Sequence, residues 1–593
     1  MKSHKVCART ILCVSLLSIL FYGCNDDDHE ARQQPTPQNP IGNCDATELE
    51  KSFASPDYKI ISTHYFKKGD ELKLSGNTEA NIPIAANNVC VAKVLVGPET
   101  NPQDKGQPSY SEGIGVEVWL PDPSNWNKRI HVKGGGGWVG GQHRDPNVLV
   151  GITGNGSNAV SLAATVEGAV SATTDTGHAI VNNGSFAMNA DGSINTALWK
   201  DFAERGIHEM AVVSKALTKH YYGEAQKYAY WNGASTGGRQ ALKEVQVHPE
   251  DFDGVLAGYP AINWTRFITS ELYPQVVMQR DLNGQLLTPA QLKLVSNRAN
   301  EVCGQINGQS YGYMIDPTAC HYDPTQDASV LCGSSDSEDC VTPTQAQVFN
   351  KIWYGQTEDG SVPNPMLNNG INLDLDAKQK WFGLTRGTDL SMLAGKPPFN
   401  IATDLTALIL QDSRIAQPDF INKVSNGLDQ WKNIDYATLS DVQQKGLDLQ
   451  NEFSNINTDS VDLSQFQQAG HKLIVYHGLA DPLITPLGTL RYIKQLKEQM
   501  GENTVNGFMQ AYFIPGMGHG FYNGTSNQDA KVPLLTNDQL YEQLTNWVEK
   551  EIQPTELVAT TENKDRSLPI CLYPAKITYV SGDINKADSY QCK

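Results

Sequence analysis

Three residues in this chain have types and surroundings that suit nucleophilic catalysis. Ser235 is the centre of a Gly-Ala-Ser-Thr-Gly motif, Asp481 follows His-Gly-Leu-Ala, and His519 ends a Pro-Gly-Met-Gly-His segment. A serine hydroxyl becomes a good nucleophile when an imidazole accepts its proton, and a carboxylate holds that imidazole in the correct tautomer. The set predicts acyl transfer, with Ser235 as the nucleophile, His519 as the base and Asp481 as the partner of His519.

Each of the three residues comes shortly after a predicted β-strand. These strands cover residues 228–231, 472–476 and 509–514. Glycines flank the serine because the turn from a strand into the following helix is sharp. The chain order Ser, Asp, His, with each residue in a loop after a strand, is the order of the α/β-hydrolases. The serine motif alone is a weak signal, and the shared placement of all three residues argues against a chance match.

Two backbone N–H donors must stabilise the oxyanion that forms during acyl transfer. The amide of Thr236, directly after the nucleophile, is one candidate. The other is expected in the glycine run 134–137, which follows a predicted strand at 129–133. Gly135, Gly137 and Gly140 also have the spacing of a dinucleotide-binding motif, but no apolar helix follows them, so a nucleotide cofactor is not predicted.

The wider pattern predicts an α/β fold. From about residue 110, short strands alternate with helices, which indicates a mostly parallel sheet with helices on both faces. Residues 263–465 interrupt this alternation, and it resumes near residue 472. We therefore predict an α/β-hydrolase core made of residues 44–262 and 466–593, with a large inserted lid domain at 263–465.

The composition and the first residues indicate an exported protein. The 593 residues carry 46 basic and 65 acidic side chains, so the net charge is −19 and nucleic acid is not an expected partner. Residues 1–23 have the basic start and short apolar run of a signal peptide. The Gly-Cys pair that ends at Cys24 resembles a bacterial lipoprotein cleavage box. This predicts a lipid on Cys24, a flexible tether at 24–43 and a place in the cell envelope; plain secretory cleavage is the alternative.

Eight cysteines remain after the signal peptide and Cys24. An even number in an exported chain predicts disulfides, although the sequence alone leaves 105 pairings open. The spacing does not suit a zinc site, so a metal is not predicted from these residues. The eight are Cys44, Cys90, Cys303, Cys320, Cys332, Cys340, Cys571 and Cys592.

Several further segments carry a resemblance to a known family. They are Ala-Thr-Thr-Asp-Thr-Gly-His at 172–178, Phe-Asp-Gly-Val-Leu-Ala-Gly-Tyr-Pro-Ala at 252–261, the segments around the three site residues, and the ending from 569 to 592. The chain resembles the tannase and feruloyl esterase family of α/β-hydrolases, which includes mono(2-hydroxyethyl) terephthalate hydrolases. The resemblance covers most of residues 44–593 and is weakest in the insertion.

The resemblance implies more than the residues show by themselves. It places the second oxyanion donor at Gly137. It implies a lid that presents aromatic residues to the acyl group, for which Trp381 and Phe382 are candidates, although both could equally belong to the core of the lid. It also implies four disulfides, which are Cys44–Cys90, Cys303–Cys320, Cys332–Cys340 and Cys571–Cys592.

The chain departs from the family pattern in two places. The family commonly has a cysteine beside the nucleophile and another beside the catalytic histidine, bridged together; these positions are Ala234 and Gly520 here. The family also often binds calcium in a loop after the cysteine that matches Cys303. The corresponding loop, 304–313, has no carboxylate, so we predict an enzyme without a metal or other cofactor.

We therefore expect a serine carboxylesterase that acts on esters of phenolic acids, most of all feruloyl or chlorogenate-type hydroxycinnamoyl esters. A tannase that cleaves galloyl esters, or a terephthalate monoester hydrolase, is the alternative within the same class. A surface binding protein that keeps the hydrolase scaffold without catalysis is the alternative from a different class.

Overall fold

Strands and helices alternate along most of the chain. The structure is a computed structural model, and it describes residues 41–97, 105–153, 159–333 and 339–593. The predicted signal peptide, Cys24 and the predicted tether as far as residue 40 lie outside the described residues. The strands, in chain order, are β1 (Tyr58–Phe66), β2 (Val89–Val96), β3 (Ile114–Pro121), β4 (Arg129–Lys133), β5 (Ser171–Thr174), β6 (Tyr228–Ala234), β7 (Gly254–Gly258), β8 (Gln305–Ile306), β9 (Gln309–Ser310), β10 (Lys472–Gly478), β11 (Met509–Ile514), β12 (Met517–Gly518), β13 (Gly520–Asn523), β14 (Leu557–Thr560), β15 (Ser567–Ile570), β16 (Ile577–Tyr579) and β17 (Tyr590–Cys592).

The α-helices vary from single turns to four turns or more. In chain order they are α1 (Ala46–Glu50), α2 (Val160–Leu162), α3 (Thr196–Lys200), α4 (Gly206–Tyr222), α5 (Thr236–Val247), α6 (Trp264–Glu271), α7 (Tyr273–Asp281), α8 (Pro289–Cys303), α9 (Pro343–Tyr354), α10 (Ser391–Ala394), α11 (Asn400–Leu410), α12 (Tyr436–Asp448), α13 (Ser464–Gln468), α14 (Pro486–Met500), α15 (Glu502–Asn506) and α16 (Asn537–Lys550).

Five parallel strands form the sheet that carries the predicted site residues. Their order is β11-β10-β7-β6-β4, with every neighbouring pair parallel. These strands read as continuous apolar segments because both faces of the sheet are covered. Residues of α4, α5 and α14 pack on one face, and residues of α16 pack on the other. The prediction of an α/β fold with helices on both faces of a mostly parallel sheet is confirmed.

A second sheet continues from the edge strand β4. It has the order β1-β2-β3-β5, and all of its pairs are antiparallel. The Val170 carbonyl, just before β5, accepts a hydrogen bond of 2.7 Å from the His131 amide of β4. Ile130 of β4 and Val170 form a parallel bridge, which agrees with the prediction of a mostly parallel sheet. On its other side β5 pairs antiparallel with β3.

The segment between β7 and β10 is an insertion that contributes no strand to either of these sheets. It contains α6 to α13 and much of the largest hydrophobic cluster of the described residues. We call the residues between Gly258 and Lys472 the insertion. The boundaries predicted at 262/263 and 465/466 remain predictions, because the packing is continuous across both of them.

Four disulfides lie within the described residues, two of them inside the insertion. They are the same four pairs that the family resemblance implies: Cys44–Cys90, Cys303–Cys320, Cys332–Cys340 and Cys571–Cys592. Among the residues that the structure describes, no helix has the length and apolar character needed to cross a membrane.

Candidate active site

Ser235 occupies a sharp turn at the carboxyl end of β6. Its φ is +60°, a left-handed conformation that non-glycine residues adopt at a cost of order 1–3 kcal/mol. The turn directs the chain at once into α5. Gly237, two residues later, packs so closely against the glycine run that a Cβ on Gly134 would lie 2.6 Å from its Cα. The glycines of the motif therefore allow the backbone approach that the turn requires.

The structure brings the three predicted catalytic residues into one hydrogen-bonded chain. The His519 Nε2 lies 2.9 Å from the Ser235 Oγ. On the other side of the ring, His519 Nδ1 lies 2.9 Å from Asp481 Oδ2. The loops after β10 and β11 supply the carboxylate and the imidazole, as the sequence predicted. This arrangement suits a serine that loses its proton to histidine while a buried carboxylate orients the ring.

Asp481 is held as a carboxylate. Burial alone would raise its pKa, but the charge of His519 and hydrogen bonds from His477 and His519 outweigh burial and lower the pKa below its ordinary value. The amides of Leu483 and Ile484 also donate to Asp481 Oδ1 at 2.9 and 3.0 Å. The ionised carboxylate can therefore stabilise an imidazolium at His519 during proton transfer.

The two residues expected to supply the oxyanion donors, Thr236 and Gly137, are in direct contact. Thr236 is the first residue of α5, and N–H groups in the first turn of a helix have no partner within that helix. The Thr236 Oγ1 donates to the Gly137 carbonyl at 2.8 Å, so this hydrogen bond links the glycine run 134–137 to the turn that carries Ser235. Gly137 has φ +55°, so a glycine suits this position. The oxyanion role of the two amides stays a prediction.

A contact from the insertion holds the residue after Gly137. The Trp138 indole Nε1 donates to Asp404 Oδ2 of α11 at 3.0 Å, and the Gly184 amide donates to the same oxygen at 2.9 Å. Burial raises the pKa of Asp404 to about 8, and the charge of Asp419 adds to the effect. The sequence offered no signal for this link, since the partners are far apart along the chain.

A cavity of about 590 Å³ lies over Ser235 and His519. The glycine run forms one side of it. Residues of α6 and α11 form an opposite, largely apolar side. The apolar lining includes Trp264, Phe267, Ile268, Phe399, Ile401 and Leu483. A cavity of this size, with a few polar groups at one end and an apolar wall, suits a small aromatic substrate.

Trp381 and Phe382 are not among the residues that line this cavity, and their predicted contact with substrate stays a prediction. They are only 1% and 3% exposed, and they line a neighbouring cavity of about 20 Å³ that shares Phe267, Glu271 and Leu483 with the first. The Trp381 ring packs on Gly488 of α14, where a Cβ would lie 2.8 Å from Trp381 Cζ2. Both residues belong to the packed interior of the insertion. The aromatic wall comes from α6, directly after the segment 252–261.

Comparisons with known proteins agree with this architecture. The family model described as "Tannase and feruloyl esterase" matches residues 95–593. A protein named probable feruloyl esterase from Arthroderma benhamiae is 32% identical over 496 residues, which cover 81% of this chain and 83% of that protein. The chain belongs to the tannase and feruloyl esterase family.

Solved structures show the same fold at lower identity. Feruloyl esterase B from Aspergillus oryzae aligns with a TM-score of 0.69 and 23% identity, over 92% of this chain and 100% of that one. A tannin acyl hydrolase from Aspergillus niger aligns with a TM-score of 0.68 and 20% identity, over 93% of this chain and 95% of that one. The predicted family and the α/β-hydrolase fold with a large insertion are confirmed.

The position of the missing family bridge is filled by tyrosines. Gly520, which replaces the cysteine beside the histidine, has φ +141°, and a Cβ there would lie 3.2 Å from the Tyr522 ring. The Tyr522 hydroxyl accepts a hydrogen bond of 3.2 Å from the His519 amide. The Tyr259 ring centroid lies 4.6 Å from that of His519. These contacts hold the histidine loop where the family commonly has a disulfide.

The calcium loop of the family has different chemistry in this chain. At the positions of its acidic ligands the chain has Gly304, Asn307 and Tyr311. The Arg566 guanidinium lies 4.3 Å from the Tyr311 ring centroid and donates to the Tyr311 carbonyl at 2.9 Å. The nearby carboxylate of Asp316 is paired with Lys576 at 2.7 Å. The Arg566 guanidinium lies beside this loop, and the loop supplies no carboxylate. Its residues therefore do not fit a calcium site.

One other group of described residues has metal-binding types. His208, His248 and Asp251 bring three potential ligand atoms within 4.8 Å of one another. The two imidazoles, however, stack at 3.9 Å with planes only 13° apart. A metal ion bound by a histidine lies close to the plane of its imidazole ring. An ion cannot lie in the planes of two stacked and nearly parallel rings at the same time. The His208 Nδ1 instead pairs with Asp251 at 2.6 Å.

Proposed function

We propose that this enzyme hydrolyses esters of phenolic acids, with hydroxycinnamoyl esters of the feruloyl type as its best substrates. The observation that carries the proposal is the Ser235–His519–Asp481 chain at the end of a cavity with an aromatic wall. The names of the relatives, feruloyl esterases and a tannin acyl hydrolase, support the substrate class.

Acylation begins with the Ser235 hydroxyl. Its Oγ attacks the ester carbonyl carbon while His519 Nε2 takes the proton, and the amides of Thr236 and Gly137 donate to the oxyanion. The tetrahedral intermediate collapses when His519 returns the proton to the departing alcohol oxygen. The product of this step is an acyl-enzyme on Ser235, and the alcohol leaves.

Deacylation repeats the sequence with water. His519 takes a proton from water, the hydroxide oxygen attacks the acyl carbonyl, and Ser235 regains its proton as the phenolic acid is released. Asp481 stays ionised throughout and stabilises the imidazolium. The free serine and one acid molecule are the end products, so the cycle needs no cofactor.

The aromatic wall favours an aryl acyl group with a neutral far end. On α6, the residues that line the cavity are Trp264, Phe267, Ile268 and Glu271. A terephthalate monoester would bring a second, ionised carboxylate toward this wall, where the polar side chain is itself an acid. We therefore rank a terephthalate monoester below hydroxycinnamoyl and galloyl esters.

The proposal extends to cofactors and to location. The lack of acidic ligands at 304–313, and the guanidinium beside this loop, support activity without calcium. The basic and apolar start of the sequence and the four disulfides support export. We further propose that the exported chain is attached to the cell envelope through a lipid on Cys24.

A panel of four substrates tests the function. Methyl ferulate, chlorogenate, methyl gallate and a terephthalate monoester are compared by kcat/KM for the wild type and for Ser235→Ala. We expect the first two to be the best substrates and the variant to lose at least about 10³-fold on each. A wild type that hydrolyses none of the four, and does not react with a fluorophosphonate, would instead support a binding protein.

A further inference from the structure

Glu271 is the one ionisable residue on the wall that α6 presents to the cavity. The lining positions 264, 267, 268 and 271 have the spacing of a single helix face. Three of them are apolar. The fourth places a carboxyl group in the same lining, two turns along the helix from Trp264. A helix face of this kind would ordinarily end in another apolar residue if its task were packing alone.

The Glu271 carboxyl is buried, and one of its oxygens has no partner among the described residues. The residue is 4% exposed, and its Oε2 has no hydrogen-bond partner within the described parts of the chain. Burial raises the pKa of Glu271 well above its ordinary value, and the charge of Asp481 adds to the shift. A neutral carboxyl can both donate and accept a hydrogen bond. An unsatisfied buried group of this kind is destabilising and calls for an explanation.

Asp404 provides the contrast within the same molecule. It is also a buried acid beside the active site, but two donors satisfy its Oδ2: the Trp138 indole and the Gly184 amide. Its Oδ1 lacks a partner among the described residues, as Glu271 Oε2 does, but Asp404 is not one of the residues that line the substrate cavity. No such pair of donors is found at Glu271 within the described parts of the chain, and Glu271 lines both the substrate cavity and the neighbouring cavity of about 20 Å³.

The direction of α6 relates Glu271 to the reacting end of a substrate. The helix starts shortly after Ala261, whose amide donates to the Ser235 carbonyl at 3.0 Å. From Trp264 to Glu271 it rises about 10 Å. An acyl group with its carbonyl at Ser235 and its ring along this wall therefore extends toward Glu271. A cinnamoyl group reaches farther than a benzoyl group, because two more carbon atoms separate its ring from the carbonyl.

We propose that Glu271 is a specificity-determining residue that hydrogen-bonds the phenolic hydroxyl of the acyl group. This inference rests on the proposed function and adds the part of the substrate that is recognised. The enzyme thereby discriminates between a hydroxylated ring and an unsubstituted one at a position far from the bond that breaks.

The test compares methyl 4-hydroxycinnamate with methyl cinnamate, which lacks only the hydroxyl. We expect the wild-type kcat/KM to be at least about ten-fold higher for the hydroxylated ester, since the analogue leaves the buried acid unpaired. Glu271→Leu should bring this ratio close to one and raise turnover of methyl cinnamate. Glu271→Gln, which keeps a donor and an acceptor, should retain part of the preference.

Phe267→Leu is the matched control, because Phe267 lines the same wall without a polar group. It should lower kcat/KM for both esters by similar factors and leave their ratio unchanged. Equal wild-type rates for the two esters, or a ratio that Glu271→Leu leaves unchanged, would overturn the role of Glu271 while the esterase function stands. Failure of the wild type to hydrolyse either ester would overturn the proposed function and this inference together. The wild-type comparison holds even if a variant does not fold.

Discussion

Replacing Asp404 should affect both stability and catalysis, because this residue connects the insertion to the oxyanion loop. In Asp404→Leu, the Trp138 indole and the Gly184 amide lose their shared acceptor while they remain buried. Each unsatisfied buried donor costs about 1–3 kcal/mol, so the free energy of unfolding should fall by about 2–6 kcal/mol. Trp138 directly follows Gly137, and displacement of that loop by about 1 Å can reduce kcat about 10²-fold.

Asp404→Asn is the matched control, because its amide oxygen can accept both hydrogen bonds. It should keep kcat within about three-fold of the wild type. It should also change the pH dependence of stability in a defined direction. In the folded protein the pKa of Asp404 is raised to about 8 from an ordinary value of 3.8. Between these values the folded state binds one more proton than the unfolded state, so this residue makes stability fall as pH rises.

Denaturant unfolding and kinetics check both parts of this prediction. For one group, the effect on the unfolding free energy is at most about 1.4 kcal/mol per pH unit. From pH 5.5 to 7.5, the wild type should therefore lose up to about 3 kcal/mol more than Asp404→Asn does. If Asp404→Leu had the same unfolding free energy and the same kcat as the wild type, the coupling between the insertion and the oxyanion loop would be refuted. If the unfolding free energy of Asp404→Asn changed with pH as steeply as that of the wild type, the protonated state of Asp404 would be refuted.

Three further perturbations test other parts of the structure. EDTA should change neither the melting temperature nor kcat, because loop 304–313 offers no carboxylates; loss of either that Ca²⁺ alone restores would contradict this. The double change Cys303→Ser with Cys320→Ser should lower the unfolding free energy by about 3 kcal/mol, as expected for a closed loop of this length, and leave kcat of the folded enzyme unchanged. Trp381→Phe should destabilise the protein by about 1–3 kcal/mol and leave KM for methyl ferulate within about two-fold, whereas a large rise in KM would return Trp381 to the substrate site.

The catalytic chain could be found from the sequence because its signals are local. Ser235, Asp481 and His519 each follow an apolar strand, and glycines mark the sharp turns beside Ser235 and His519. The ends of parallel strands meet at one edge of a sheet, so three local patterns were enough to predict one site. Thr236 and the glycine run 134–137 follow from the same logic, since both lie where a strand ends, and the family resemblance singles out Gly137 within that run.

The antiparallel sheet β1-β2-β3-β5 and the aromatic wall of the cavity depend on contacts between distant parts of the chain. A four-residue strand such as β5 does not show from its sequence which neighbour is parallel and which is antiparallel. A tryptophan such as Trp381 suits both a substrate wall and a protein core, and its contact with Gly488 could not be predicted from the sequence. The face of α6 had a helical spacing that could have been noticed, but nothing local indicates which cavity a helix faces.

Covalent labelling of the nucleophile tests the central claim most directly. The wild-type enzyme is incubated with a fluorophosphonate, and the modified peptide is identified by mass spectrometry alongside turnover of methyl ferulate. We expect one label per chain, on Ser235, with loss of activity in proportion to labelling. Ser235→Ala should take up no label and lose at least about 10³-fold in kcat. A label on another serine, or substantial turnover by Ser235→Ala, would contradict the assignment of Ser235 as the nucleophile.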